Sequence, residues 1–356
     1  MFRMMTAVAI TGTAAALTVA GPAIAELDEI QLEVIVGNHN DPFTQEFQVP
    51  YFTEALAERS GGRVTARAVP YTELGLRGFE LMNLLKLGTN DISWGVLGYV
   101  AGDSPVVEGL ELPGISSEAE AIFDAQDSYR EIMDRELREK FNSKMILWSQ
   151  QPALQAYCKL TEEEIENFNL DTMRGKNARV HSTSFADFVE SFGGVPVNMP
   201  FADVIPALER GVLDCALTSP TAAYGSKFGQ VTNAVVEIRS GYSSHFFAMN
   251  LDTWNGLNEE TQAFLTEVFG ELEADMREAQ PEIQAAAAAC LGAGPCTLGE
   301  PSNMAYLKLS EEDEARLRQG VEETVLPRWA ERAGTQAAAE WNEAVSDDLG
   351  LTIRTE

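Results

Sequence analysis

Positive charge is scarce in this 356-residue chain. Its 25 Lys and Arg face 55 Asp and Glu, giving a formal net charge of −30 at pH 7 and a pI near 4.4. Such a surface repels nucleic acid and anionic lipid, so neither is expected as a partner. No stretch reaches the roughly 20 apolar residues of a membrane-spanning helix. The HExxH of zinc proteases, the GxSxG of serine hydrolases and a Gly-rich phosphate loop are all missing. Histidine occurs only three times. Cys215 beside Asp214, with His181 or His245 elsewhere, is a formal nucleophile–base set. Nothing in the spacing makes them converge, and an exported cysteine is more often oxidised than catalytic. The acidic run Glu162–Glu164 reads as a solvated helix start. Neither a cofactor nor a metal is expected, and the chain is not read as an enzyme.

What is present at the start is a leader. Arg3 supplies a positive region, Ala7 to Ala20 an apolar core, and Ala23-Ile24-Ala25 a small-x-small cleavage signal before Glu26. Residues 1–25 are therefore a signal peptide, and an exported, soluble mature chain is expected. Four cysteines would then meet an oxidising compartment. Cys290 and Cys296 bracket a short Gly/Pro loop, and a local disulfide is expected there. Cys158 and Cys215 lie in strand-like runs; a cross-strand pair and two buried thiols both fit.

The length allows two domains with separate cores. Strands are expected at 27–36, 63–69 and 91–96, with helices at 44–59 and 79–87 between them. A helix over 117–141, broken around Ser128, precedes strands at 144–148 and 154–158. Further strands are expected at 178–180, 212–217, 231–238 and 245–251. From Asn258 the chain reads as almost wholly helical, over 259–291, 310–333 and 335–348. Strands fall into two groups separated near residue 150, and the chain returns to the first group near residue 245. The implied lobes are 26–150 with about 242–285, and 151–241 with about 286–356. Two crossings make a hinge with a cleft between.

The centre of the chain is residues 173–220. Arg179 sits on a short strand just before a Ser/Thr cluster, and a second run ends in Thr218, Ser219 and Pro220, a capped helix start. Strands alternating with helices imply a parallel sheet that binds ligands beyond its carboxyl ends. Arg179 is thereby placed to meet a small anion. That requires one cleft arginine to dominate locally over the negative outer field.

Residues 173–180 (MRGKNARV) and 193–215 (GGVPVNMPFADVIPALERGVLDC) resemble the periplasmic substrate-binding subunits of tripartite ATP-independent periplasmic (TRAP) transporters, the DctP-like family. There the strand reads Lys-Gly-x-Lys-x-Arg-Val, followed by a Gly-Gly-x-Pro-Val-x-Met-Pro-Phe run. The resemblance covers the whole mature chain. It implies an α/β, two-lobed periplasmic binding protein with an interlobe cleft, hinge strands and a long helix spanning both lobes. It also implies that the arginine at position 179 pairs with a ligand carboxylate, for which a guanidinium is a matching two-pronged donor. The implied partners are a small organic acid and the small and large membrane permease subunits. Contact with the inner membrane would come only through the permease, and the receptor would be a monomer. Uptake would be driven by an ion gradient.

Around Arg179 the candidate ligand contacts are Asn198, Phe201, Thr218, Ser219, Trp94, Trp148, Tyr157, Gln155, Asn38 and His39. Pocket walls are mainly apolar or aromatic, which favours Phe201 and the strand-end aromatics. Asn198 and Phe201 also fit a helix cap and staple, and each aromatic also fits core packing. Three departures from the family pattern matter. Where its sialic-acid binders carry a second arginine, this chain has Ala153 or Leu154, with Gln155 the nearest polar side chain. Where they carry a cleft glutamate, Val96 follows Trp94 by two. Asp214-Cys215 stands for their Asp-Gly. The first two argue against a large, amine-bearing sugar acid; with no second charged cleft residue visible a monocarboxylate is expected, a dicarboxylate held at helix N-termini and a zwitterion in an aromatic cage being the alternatives.

Overall fold

The computed structural model describes residues 27–116, 118–149, 153–238 and 240–354; the expected signal peptide lies outside them. Two mixed sheets carry the chain. β1 (Ile30–Val36), β2 (Val64–Pro70), β3 (Ile92–Val96) and β4 (Ser143–Ser149) enter the first sheet. β5 (Gln155–Cys158), β6 (Asn177–Val180), β7 (Val195–Asn198), β8 (Cys215–Thr218) and β9 (Ala234–Glu237) enter the second. β10 (His245–Asn250) then returns to the first, and β11 (Ala305–Lys308) to the second. The orders are β2-β1-β3-β10-β4 and β11-β9-β5-β8-β6-β7.

The expected parallel pairing holds for β1 with β2 and β3, and for β6 with β7 and β8. It fails for the crossing strands. β10 runs antiparallel to β3 and β4, and β5 antiparallel to β8 and β9. Their starts, not their ends, therefore lie on the side where β3, β6 and β8 finish.

Two strands escaped the sequence reading. β7 is a four-residue run, Val-Pro-Val-Asn, on a sheet edge, where proline is tolerated because no ladder bond is needed on its open side. β11 is equally short and pairs only with β9. The helix Ala119–Phe141 is continuous through Ser128. Instead of competing with the backbone, the Ser128 hydroxyl donates to Asp348 Oδ2 at 2.9 Å on helix Thr335–Leu349.

Helix Glu259–Ala288 joins the two halves. Its Leu265, Phe269 and Met276 pack into the core beneath the first sheet, and its Glu273 accepts from Trp148 N on β4 at 2.8 Å. Beyond its last turn, Leu291 packs with Tyr157 and Phe228 under the second sheet. A third core holds side chains of both sheets, Trp148 and Phe246 from one and Ala156 and Ala178 from the other. Both disulfides form. Cys158 and Cys215 face each other across β5 and β8, and Cys290–Cys296 closes the loop after the long helix.

Candidate functional site

Between the sheets lies a cavity of about 60 Å³. The first sheet contributes Asn38, Tyr71, Trp94, Val96 and Tyr99. Across from them stand Leu154, Arg179, Phe201, Leu217, Thr218 and Ser219. Ser243 and His245, at the start of β10, close it on the hinge side. The walls follow from topology: β1, β2, β3, β6 and β8 end here, and the antiparallel β10 begins here.

Arg179 is 3% exposed. Its Nε donates to Met199 O and its Nη1 to Leu217 O, both at 3.0 Å, and Nη2 reaches the Tyr99 hydroxyl at 3.4 Å. Its guanidinium carbon lies 5.8 Å from the centre of the Phe201 ring. A guanidinium has five N–H donors. Two of Arg179's, one on each terminal nitrogen, find no acceptor among the described residues, and no described acidic side chain pairs with it. Burial pulls its pKa below the ordinary arginine value, opposed by the neighbouring Tyr99. A buried cation without a protein counter-ion is costly, and an anion in the cavity would relieve that cost.

The aromatic wall is layered. Tyr71 stacks on Trp94 with ring centres 5.5 Å apart, and His245 meets the Trp94 ring edge-on at 4.7 Å. Burial raises the Tyr71 and Tyr99 phenols and holds His245 well below the usual histidine range, so all three are neutral. Behind the wall, Glu111 accepts from Gly98 N at 2.6 Å and from Ser243 Oγ, and lies 2.8 Å from His181 Nε2. This ties the turn after β6 to the first half of the chain.

Six of the expected contacts line the cavity: Arg179, Phe201, Thr218, Ser219, Trp94 and Asn38. Five do not. Trp148 is fully buried, its Nε1 donating to Gln126 O, because strand alternation turns the next residue, Ser149, toward the cavity side, where it meets Gln48. Tyr157 sits at the far end of the reversed β5, edge-on to Phe228 in the core. Gln155 is buried away from the cavity, its amide donating to the Tyr306 hydroxyl at 2.9 Å. His39 is exposed and pairs with Glu73 at 2.7 Å. Asn198 ends the edge strand β7 with its side chain exposed. Tyr71, Tyr99, Ser243 and His245 were missed as wall residues. Tyr71 directly follows β2 and Tyr99 closes the short turn after β3, so the strand-end argument applied to those strands finds them.

The sequence matches the family model for bacterial extracellular solute-binding proteins, family 7 (DctP), over residues 35–331. Solved structures share the fold at low identity. The sugar acid binding protein DctPAm of Advenella mimigardefordensis, in complex with galactonate, is 17% identical with a TM-score of 0.80, covering 91% of this chain and 100% of its own. A TRAP periplasmic solute binding protein of Roseobacter denitrificans with bound β-D-glucuronate is 20% identical with a TM-score of 0.77, covering 91% and 100%. The Bordetella pertussis extracytoplasmic solute receptor DctP6, binding pyroglutamic acid, is 17% identical with a TM-score of 0.78, covering 90% and 99%. With the family model spanning most of the chain and the two-lobed fold in place, this protein belongs to family 7 of the bacterial extracellular solute-binding proteins.

Proposed function

We propose that the protein is the periplasmic receptor of a TRAP transporter, closing its two lobes over a small organic acid and delivering it to the small and large permease subunits. The observation that carries this reading is Arg179, a buried guanidinium with two unclaimed N–H donors facing a cavity between the lobes. Those two donors match the two oxygens of one carboxylate. Among the described residues no other Lys or Arg lines the cavity, and the one carboxylate in its wall, Asp41, would repel a second acid group. A monocarboxylate is therefore the ligand. The structures solved with galactonate, glucuronate and pyroglutamic acid give this fold a record with carboxylates.

A thermal-shift screen of organic acids against the mature protein tests it. A ligand at 100 times its Kd adds about 2.7 kcal/mol of stability. Hits confined to carboxylates are expected, recovered unchanged after incubation; a panel with no carboxylate hit, or with hits converted to product, would overturn the assignment.

A further inference from the structure

Three stretches of the cavity wall lie far apart in sequence. They are the turn after β3 with Tyr99, the end of β6 with Arg179 and His181, and the approach to β10 with Ser243 and His245. One side chain behind the wall holds all three. Glu111 follows the short helical turn Val107–Leu110 and is 1% exposed. Its Oε2 accepts from Gly98 N at 2.6 Å, beside Tyr99. Its Oε1 accepts from Ser243 Oγ and lies 2.8 Å from Nε2 of His181, two residues beyond Arg179. Ser243 Oγ lies 3.0 Å from His245 Nε2. Because the hydroxyl hydrogen is given to Glu111, Nε2 of the neutral His245 carries the hydrogen and donates to Ser243.

The surroundings are shaped for this contact. A Cβ at Gly98 would come within 2.8 Å of Ser182 Cβ and 2.9 Å of His181 Cδ2, so only a bare backbone lets the two turns meet. From the same stretch the fully buried Glu108 accepts from Ser184 N at 3.1 Å, in the first turn of helix Thr183–Ser191, where N–H groups have no helical partner. A carboxylate suits position 111 because it accepts from three donors and offers none. A glutamine amide has one acceptor oxygen and would set its own N–H groups against one of those donors. Burial lowers the Arg179 pKa, and Tyr99, Tyr71 and the charge of Glu111 oppose it. Every link in the set is between protein groups, so assembling it needs no ligand.

We infer that Glu111 is a positioning residue that clamps the two sheets together around the cavity, acting through Gly98, His181 and Ser243, so that Arg179 and Tyr99 are held face to face for the incoming ligand. This rests on the reading of the protein as a receptor whose lobes close. The test uses no ligand, so its failure leaves the carboxylate assignment to the thermal-shift screen.

Electron–electron double resonance on the dialysed, ligand-free mature protein tests the inference, with spin labels attached at Leu87→Cys and Val212→Cys. Both positions are exposed and precede β3 and β8 at the strand ends remote from the cavity. The four native cysteines are paired, so the added thiols take the label. The native background is expected to give one narrow distance. Glu111→Gln should add a second distance, its open-to-closed ratio raised about 10- to 150-fold, as loss of one buried hydrogen bond to a charged group requires. A thermal melt checks that the variant is folded, and His181→Leu, which removes one link from the other side, should reproduce the second distance. A folded Glu111→Gln protein with the native distance, or a native protein already split between two distances, would overturn the inference. Failure of both variants to fold would assign the network to the fold and overturn it as well.

Discussion

Replacing Arg179 by lysine keeps the charge and removes the fork. In the native chain three of its N–H groups are committed to Met199 O, Leu217 O and Tyr99 Oη, and the remaining two face the cavity. A lysine ammonium has three donors in all. The two backbone carbonyls sit in a buried environment and compete for them, leaving one donor for a ligand. Arg179→Lys therefore forfeits one charge-assisted hydrogen bond, about 1.5–3 kcal/mol, or about a 10- to 150-fold rise in Kd. Arg179→Ala removes both and leaves the ligand carboxylate buried without a partner, at about 2–5 kcal/mol. Calorimetric titration with the best carboxylate hit measures both, and a thermal melt of the ligand-free variants checks that the fold survives. The primary amide of the same hit is the control, since it should lose far less than the acid. A lysine variant within twofold of the native Kd would refute the bidentate reasoning.

Other features make independent predictions. In the chain-entropy model the Cys158–Cys215 crosslink, separated by 57 residues, contributes about 4 kcal/mol, and Cys290–Cys296, separated by 6, about 2 kcal/mol. Urea unfolding of the two double Cys→Ala variants should rank them in that order, and the reverse order would contradict it. Burial holds His245 neutral in the folded chain while the unfolded chain protonates it near its ordinary value of 6.5. Its contribution to stability is thus complete above pH 6.5 and falls as pH drops, by up to about 1.4 kcal/mol per unit. His245→Gln should flatten the stability slope from pH 6.5 to 5.5, and an unaltered slope would count against the assignment. A Cβ at Gly225, on helix Pro220–Gly225, would overlap the Asn40 carbonyl after β1 across the cleft. Gly225→Ala should hinder closure at about 1–3 kcal/mol, weakening ligand binding about five- to 150-fold; native affinity would show that the lobes do not meet there.

The legible parts of the site are those where local sequence and topology agree. Arg179, Thr218 and Ser219 end or follow strands that run parallel within the second sheet, so the carboxyl-end rule located them. The reversed strands broke that rule. His245 was passed over because β10 presents its first residue to the cavity, and Tyr157 was misplaced because the reversed β5 reaches the cavity only through Leu154, just before its start. Trp148 failed by one position, since alternation along β4 sends it to the core and Ser149 to the other side. Tyr99 meets Arg179, and Tyr71 shares its cavity, only through the docking of one sheet against the other, a juxtaposition that no local pattern encodes.

A crystal structure of the mature protein with its tightest-binding acid examines the buried guanidinium most directly. Both carboxylate oxygens should lie within about 3.2 Å of Arg179 Nη1 and Nη2. A carboxylate seated elsewhere in the cavity, with those two nitrogens turned away from it, would contradict the role given to Arg179.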